Sequence, residues 1–298
     1  MQKTKISDLL RLCRPKHWIK NLLVFAPLIF SGKLLVLSDF TSVLLGWFAF
    51  NFIASAVYVF NDLCDVKTDR LHEIKKSRPL ACGTVSICSA VILLGGLIIL
   101  AFTANAEASC TTTTAGMLAL YLLLNVFYSL WAKKIPLLDI AVLVIGFLIR
   151  VFYGASLIAA PVSAWLYLTI TTMATYLGLG KRRNELQKRI NGNQEITGVL
   201  KNYPIDFLDK NMHMCLTLTI AFYALWTIAP VPVLPAAADG RIGTVPLVLL
   251  ICMRYSLLIE SKTYADPVDV LTSDKILIAL VLLYGAYMAF LMYGSFFF

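Results

Sequence analysis

The densest set of hard oxygen donors in the sequence is Asn61, Asp62, Asp65 and Asp69, within Asn61-Asp62-Leu63-Cys64-Asp65-Val66-Lys67-Thr68-Asp69. An apolar run leads directly into it. If the helix of that run continues, a turn of about 100° per residue puts Asn61 at 0°, Asp65 at ~40°, Asp69 at ~80° and Asp62 at ~100°. The four then share one face, while Leu63 and Lys67 point elsewhere. Carboxylates placed side by side repel one another unless a cation sits among them. Such donors suit Mg²⁺, which takes one or two carboxylates plus the phosphates of a substrate. The plainer alternative is a solvated acidic helix end neutralised by Lys67, Arg70 and Lys75. Against it, carboxylates at a helix C-terminus oppose the macrodipole. Asn61, Asp62, Asp65 and Asp69 are therefore the expected metal ligands.

Basic residues lie where a phosphate would meet that metal. Arg70, Lys75 and Arg78 follow the cluster, and Arg suits planar, two-point contact with phosphate. The same charges would also mark an ordinary cytoplasmic loop. Farther along, Tyr128, Lys133 and Asp139 flank Pro136, which fits a tight turn between two helices. They are expected to converge at the mouth of a site, although an interfacial aromatic with snorkelling lysines has the same composition. Arg150 lies in an apolar run, where an unpaired charge costs several kcal/mol. It should face the protein interior, as an anion site or as a partner of backbone carbonyls. Arg254 lies closer to a helix end, where it can simply snorkel, and it is left out of the site. Lys16, Lys20 and Asn21 belong to a basic and aromatic stretch, Arg14-Pro15-Lys16-His17-Trp18-Ile19-Lys20-Asn21, that would also serve as a membrane-surface anchor. Lys181 and Arg182 open the largest basic segment, where Arg182 and Glu185 have the i,i+3 spacing of a helical ion pair. His17, His72 and His213 form no metal-ligand pattern.

Positioning these groups is the task of an apolar scaffold. The chain has 298 residues, 59% hydrophobic and only 14% charged, with mean hydropathy +0.78. Soluble domains average about 45–50% apolar and about 25% charged, so a soluble enzyme, a disordered chain and a nucleic-acid-binding protein are all excluded. Seven cysteines show no CxxC pair and read as small hydrophobes. The first twenty residues are polar and basic, unlike a cleavable signal. A spanning helix needs about 20 apolar residues. Nine stretches qualify: 19–37, 40–60, 84–104, 112–131, 138–160, 163–180, 211–230, 243–260 and 276–296. The first is interrupted by Lys20, Asn21 and Lys33. With the N-terminus cytoplasmic, 22 of the 26 Lys and Arg residues fall on inner segments and two, Lys33 and Arg241, on outer loops, as the positive-inside rule requires. The expected fold is an all-α, polytopic membrane bundle of about nine helices, with one domain over 1–298 and its charged working face toward the cytoplasm.

Nine helices with Asn61-Asp62-x-x-Asp65-x-x-x-Asp69 after the second resemble the UbiA superfamily of intramembrane prenyltransferases. Members bind a diphosphate through Mg²⁺ at two polar motifs on the cytoplasmic side, around a cavity open laterally to lipid. Most carry a second Asp-rich motif after the sixth helix. Here that region reads Gly178-Leu179-Gly180-Lys181-Arg182-Arg183-Asn184-Glu185, which is basic. The chain is more similar to the decaprenyl-phosphate phosphoribosyltransferase branch. That similarity lies at Arg14-Pro15-Lys16-x-Trp18-x-Lys20-Asn21, Asn61 to Arg70, Lys75-x-x-Arg78-Pro79, Tyr128-Ser129…Lys133…Pro136…Asp139, Gly146-Phe147-x-x-Arg150 and Gly180-Lys181-Arg182-x-x-Glu185.

The resemblance implies a phosphoribosyltransferase moving 5-phosphoribosyl from phosphoribosyl diphosphate (PRPP) to a polyprenyl phosphate, with Mg²⁺ as cofactor. The product would feed cell-envelope polysaccharide. Asp62, Asp65, Asp69, Tyr128 and Lys133 would be catalytic. Lys16, Lys20, Asn21, Asn61, Arg70, Lys75, Arg78, Asp139, Arg150, Lys181 and Arg182 would bind substrate. The partners are PRPP, the polyprenyl phosphate and the bilayer of the inner membrane, with no nucleic acid; a homo-oligomer is an allowed assembly. Two other readings compete. An ordinary UbiA-type prenyltransferase would move a prenyl group to an aromatic or polar acceptor, against the basic second motif. A secondary transporter would use Arg150 as an anion site, but transporters tend to show repeats and broken helices at the midplane, not charges gathered on one face.

Overall fold

A computed structural model describes residues 5–71, 75–109, 111–193, 195–229, 236–261, 269–270 and 273–294. Lys3, His72, Cys110 and Lys262 lie outside the described residues. Among these residues all regular structure is helical. The helices are α1 (Ile6–Cys13), α2 (Ala26–Phe30), α3 (Leu37–Leu71), α4 (Ile87–Ala108), α5 (Thr112–Leu130), α6 (Leu138–Leu157), α7 (Ala164–Asn191), α8 (Ile205–Ile228), α9 (Val245–Ser261) and α10 (Lys275–Tyr293). Three helix starts carry side-chain caps: Ser86, Thr111 and Asp274 accept the N–H of Ser89, Thr114 and Leu277, satisfying donors the helix leaves open.

Among the described residues, seven helices are long and apolar enough to cross a bilayer: α3, α4, α5, α6, α8, α10 and the stretch Gly240–Glu260 that includes most of α9. The chain is an integral membrane protein. Two expected spans differ. The stretch 19–37 is not one helix: Pro15–Phe25 is a 3-10 segment followed by the short α2 and a turn with Gly32 at φ 75. The stretch 163–180 is the first part of α7. Thr169, Thr171, Thr172 and Thr175 lower its hydropathy there, and their hydroxyls bond back to carbonyls of their own helix.

The length of α3 positions the acidic cluster. Thirty-five residues make a rod of ~52 Å at 1.5 Å per residue, against a hydrocarbon core of ~30 Å. The excess carries Asn61 to Leu71 beyond the apolar layer without a break, so the acidic residues keep helical geometry.

The residues group into two compact units. One comprises Met1–Leu28, Leu34–Lys133 and Ile149–Ala160; the other Ile29–Lys33, Lys134–Leu148 and Pro161–Phe298. In the first, α3 is the central helix: Phe50, Ile53 and Val43 are fully buried with Val24, Leu118 and Tyr153. Small residues let backbones approach, as is usual in membrane bundles. A Cβ on Gly154 would run into the backbone carbonyl of Val24. The second unit has its own core of Tyr176, Leu179, Leu208, Met212, Ile259 and Leu277. There Arg254 makes a two-point pair with Asp274, the cap of α10.

Candidate active site

One face of α3 is polar along much of its length. Asn51, Ser55, Tyr58, Asp62, Asp65 and Asp69 recur at intervals of four and three, the spacing that keeps side chains on one face of a helix. The N-terminal segment is fastened along this face. Asn21 Nδ2 donates to Asn51 Oδ1 at 2.7 Å. Trp18 Nε1 donates to Ser55 Oγ at 3.1 Å, and Ser55 Oγ donates to the carbonyl of Cys13 at 3.0 Å. Arg14, left-handed at φ 51 where α1 ends, lays its guanidinium over Tyr58, 5.0 Å from the ring centroid, and onto the carboxylate of Asp62. These tertiary ties account for a 3-10 segment where the sequence predicts a spanning helix.

The carboxylates are paired, but not with the neighbours that sequence proximity predicts. Arg78 Nη1 donates to Asp69 Oδ2 at 2.7 Å and to Asp62 Oδ1 at 3.1 Å. Lys133 Nζ donates to Asp65 Oδ1 at 2.7 Å. Asp62 and Asp69 are each 3% exposed, whereas Asp65 is half-buried. Lys67, Arg70 and Lys75 lie exposed. Arg70 Nε instead donates to the carbonyl of Ala81 at 3.3 Å, closing the α3–α4 loop, and Lys75 opens the 3-10 turn Lys75–Ser77. Arg14 is the site residue that sequence reasoning missed; its signal was membership of the Arg14-Pro15-Lys16-x-Trp18 pattern. Lys16 is exposed, and Lys20 and Tyr128 are half-buried.

Arg150 faces the interior as predicted, and side chains are among its partners. It is 6% exposed. Its Nε donates to Asn21 Oδ1 at 2.7 Å and its Nη2 to the Tyr121 hydroxyl at 2.9 Å. It lies over the rings of Phe50 and Tyr121 at 5.1 and 5.0 Å. Asn21 thus links Arg150 to Asn51 and, through the N-terminal segment, to the acidic end of α3.

The second unit holds another buried charge cluster. Asp139, 0% exposed, accepts from Arg182 Nε at 2.6 Å and from the Tyr203 hydroxyl at 2.6 Å. Arg182 Nη1 also donates to Glu185 at 2.7 Å, the predicted i,i+3 pair. Tyr203 accepts the backbone N–H of Leu137 at 2.6 Å; Leu137 sits at φ 66. Burial, and then the hydrogen bond to Asp139, pushes the Tyr203 hydroxyl up to about 12. Lys181 is half-buried. Arg183 pairs with Asp209 and donates to Gln187 at 3.1 Å. Of the three residues expected to converge around Pro136, Lys133 goes to Asp65 and Asp139 goes to Arg182 and Tyr203.

The acidic end of α3 fits a hard divalent cation in one specific sense. Among the described residues Asn61 Oδ1 is a buried acceptor without a hydrogen-bond partner, next in sequence to Asp62. Among the described residues no three His, Cys, Asp or Glu side chains close a metal cage by themselves. An incomplete oxygen set is what Mg²⁺ uses when substrate phosphates supply the remaining ligands.

Comparison with known proteins narrows the class. Over 286 residues the chain is 28% identical to the decaprenyl-phosphate phosphoribosyltransferase of Corynebacterium glutamicum, covering 94% of this chain and 85% of that protein. It is 29% identical over 286 residues to the protein of that name from Mycolicibacterium smegmatis, covering 92% and 89%. A UbiA homolog from Archaeoglobus fulgidus bound to GPP and Mg²⁺ shares the fold, with a TM-score of 0.70 at 18% identity over 95% of this chain and 98% of that one. Residues 24–281 match the UbiA prenyltransferase family, a span that takes in the acidic face of α3, Lys133, Arg150 and the Asp139–Arg182 pair, and on that match the chain belongs to the UbiA prenyltransferase family.

Proposed function

We propose that this protein transfers 5-phosphoribosyl from PRPP to a polyprenyl phosphate of decaprenyl type, at the cytoplasmic face of the inner membrane, with release of pyrophosphate. One observation carries the reading. The relatives matched over more than nine-tenths of this chain and most of their own length bear that activity in their names. The chemistry of the acidic α3 end supports it, since PRPP is a water-soluble polyanion and the segments around Asp62, Asp65 and Asp69 bring cations to it. We read 1–298 as a single functional domain.

Asn61, Asp62, Asp65 and Asp69 are the residues that would hold Mg²⁺. When bound, the ion neutralises a diphosphate leaving group and orients it. Lys20, Arg70, Lys75, Arg78 and Lys133 hold phosphate oxygens of donor and acceptor, with Lys16 and Lys181 at the outer edge of the basic surface. Tyr128 orients the reacting phosphate. Carboxylates near the ribose C1 stabilise the positive charge that develops there as the bond to the diphosphate breaks. The acceptor phosphate oxygen forms the new bond to C1. It is already anionic, so no strong general base is needed and no proton has to be removed. The acceptor tail stays in lipid while its phosphate reaches the polar face of α3. Asn21 and Arg150 form the inner end of that face and hold the N-terminal segment on α3. Asp139 and Arg182 are occupied with each other, and we read them as holding α7 to the start of α6.

The test is reconstitution of the purified protein with labelled PRPP, polyprenyl phosphate and Mg²⁺. A lipid-linked phosphoribose and free pyrophosphate are expected. No lipid-linked label, where a known decaprenyl-phosphate phosphoribosyltransferase yields it, would overturn the reading. Prenylation of 4-hydroxybenzoate from a prenyl diphosphate, without use of PRPP, would establish the prenyltransferase alternative.

A further inference from the structure

Three carboxylates on the polar face of α3 hold three cations from three different segments. Arg14 comes from the N-terminal segment, Arg78 from the α3–α4 loop and Lys133 from the turn after α5. The formal charges of the six groups cancel. Asp62 Oδ1 alone accepts from both guanidinium groups. The oxygens that these cations use are the ones a divalent ion would need. The cations are in turn the ones best placed to hold a diphosphate. Neither ligand is well served alone: a dication would join three fixed positive charges, and a diphosphate would join three carboxylates.

We propose that Arg14 and Arg78 are exchangeable counter-ions. They compete with a divalent cation for Asp62 and Asp69, and once displaced they bind phosphate oxygens of the donor, so that cation and polyphosphate bind cooperatively. The proposal rests on the phosphoribosyl-transfer reading only for the identity of the anion; any diphosphate serves for the coupling. Two features equip Arg14 for the exchange. Its side chain is 21% exposed, and that of Arg78 is 24% exposed, so each can reach a ligand while remaining shielded enough to require an anionic partner. Arg14 also rests on the Tyr58 ring, a support that persists when Asp62 is taken by another cation. Planar guanidinium groups match phosphate oxygens in two-point contacts. Coupling of this kind is reciprocal: whatever factor the anion adds to cation affinity, the cation adds to anion affinity.

The experiment uses the full-length protein in detergent, with Mn²⁺ as the spectroscopic probe of cation binding and no organic substrate. Arg14→Gln and Arg78→Gln are each expected to bind Mn²⁺ on the order of tenfold more tightly than the parent, within the ~5- to 150-fold range typical of coupled ligands. At saturating Mn²⁺ the same variants should retain labelled inorganic pyrophosphate on the order of tenfold more weakly. Opposite signs from one substitution are the signature of exchange. A purely structural tie predicts weaker binding of both ligands, because the carboxylates lose their positioning; that result, or unchanged Mn²⁺ affinity in folded variants, overturns the proposal. Arg78→Gln, which removes the other competing guanidinium from Asp62 and Asp69, carries the test if Arg14→Gln does not fold. Tighter Mn²⁺ binding alongside failed phosphoribosyl transfer would sustain the exchange and remove the assigned donor.

Discussion

Replacing Asp139 by Asn distinguishes a structural clamp from a substrate contact in the second unit. Asp139 is fully buried and meets Arg182 and Tyr203. Asn has nearly the same shape and keeps an acceptor for the Tyr203 hydroxyl, but it removes the charge. Arg182, 7% exposed, then keeps Glu185 as an anionic partner, whose side chain is 33% exposed and correspondingly screened. Breaking a buried pair by removing one partner costs about 3–5 kcal/mol, and Glu185 holds the loss near the lower end, about 3 kcal/mol. At about 2 °C per kcal/mol for a chain of this size, Tm should fall by about 6 °C. Arg182→Met should cost a similar amount. The double variant should lose less than the sum, because both changes delete one interaction, with a coupling of about 2 kcal/mol. The assay is thermal unfolding in detergent beside initial rates over a range of PRPP. A clamp predicts lower Tm with KM for PRPP unchanged below the transition. Unchanged Tm with a raised KM, or strictly additive losses, would refute the clamp and return Asp139 and Arg182 to the substrate site.

Asp65→Ala should abolish turnover with little loss of Tm, because Asp65 is half-buried and, among the described residues, pairs with Lys133 alone; retained activity in a rate assay would reject its proposed place among the metal ligands. Gly154→Ala should reduce folded yield sharply, since the new Cβ meets the Val24 carbonyl, which is backbone and cannot swing aside; normal yield on size-exclusion chromatography would show that α6 and the N-terminal segment can separate there. Tyr203→Phe should change the alkaline limb of stability. The Tyr203 pKa is raised on folding from 10.0 to about 12, so its stabilising contribution is complete below about pH 10 and lost as pH rises toward 12. Melting curves between pH 9 and 12 should therefore fall less steeply for Tyr203→Phe than for the parent; identical slopes would reject the buried hydrogen bond to Asp139.

The parts of this molecule that were legible in the sequence are those set by a local period. The acidic residues after the second apolar run have helical spacing, and α3 does continue unbroken through Leu71. Arg150 could be turned inward from its depth alone, because an unpaired charge in an apolar run is costly. Arg182 and Glu185 were paired correctly because three residues separate them. The failures share a physical cause. The stretch 19–37 is apolar enough to suggest a span, but Trp18 and Asn21 at its start are committed to Ser55 and Asn51 on α3, and that commitment goes with a 3-10 path over Pro15–Phe25. Proximity along the chain offers Lys67, Arg70 and Lys75 as counter-charges in the plainer alternative to a metal site. Yet Arg14 lies 48 residues from Asp62 and Lys133 lies 68 residues from Asp65. Periodicity carries no information about pairs at such separations.

Those long-range pairs bear on how the site should be tested. Within the first unit, the acidic residues at the end of α3 are the points at which separate segments are tied. Asp62 takes guanidinium groups from the N-terminal segment and from the α3–α4 loop at a single oxygen, while being almost wholly buried. Deleting its charge would leave two Arg side chains competing for what remains, and the cost would fall on the fold as well as on any bound cation. Loss of activity in Asp62→Ala therefore says little about metal ligation. Among the described residues Asp65 has one basic partner, Lys133, and both side chains are 27% exposed, so water can reach Lys133 when Asp65 is removed and a part-exposed pair of this kind contributes about 1 kcal/mol. A defect in Asp65→Ala can thus be assigned to chemistry, whereas the same defect in Asp62→Ala cannot, although the two carboxylates stand less than one helical turn apart on the same face.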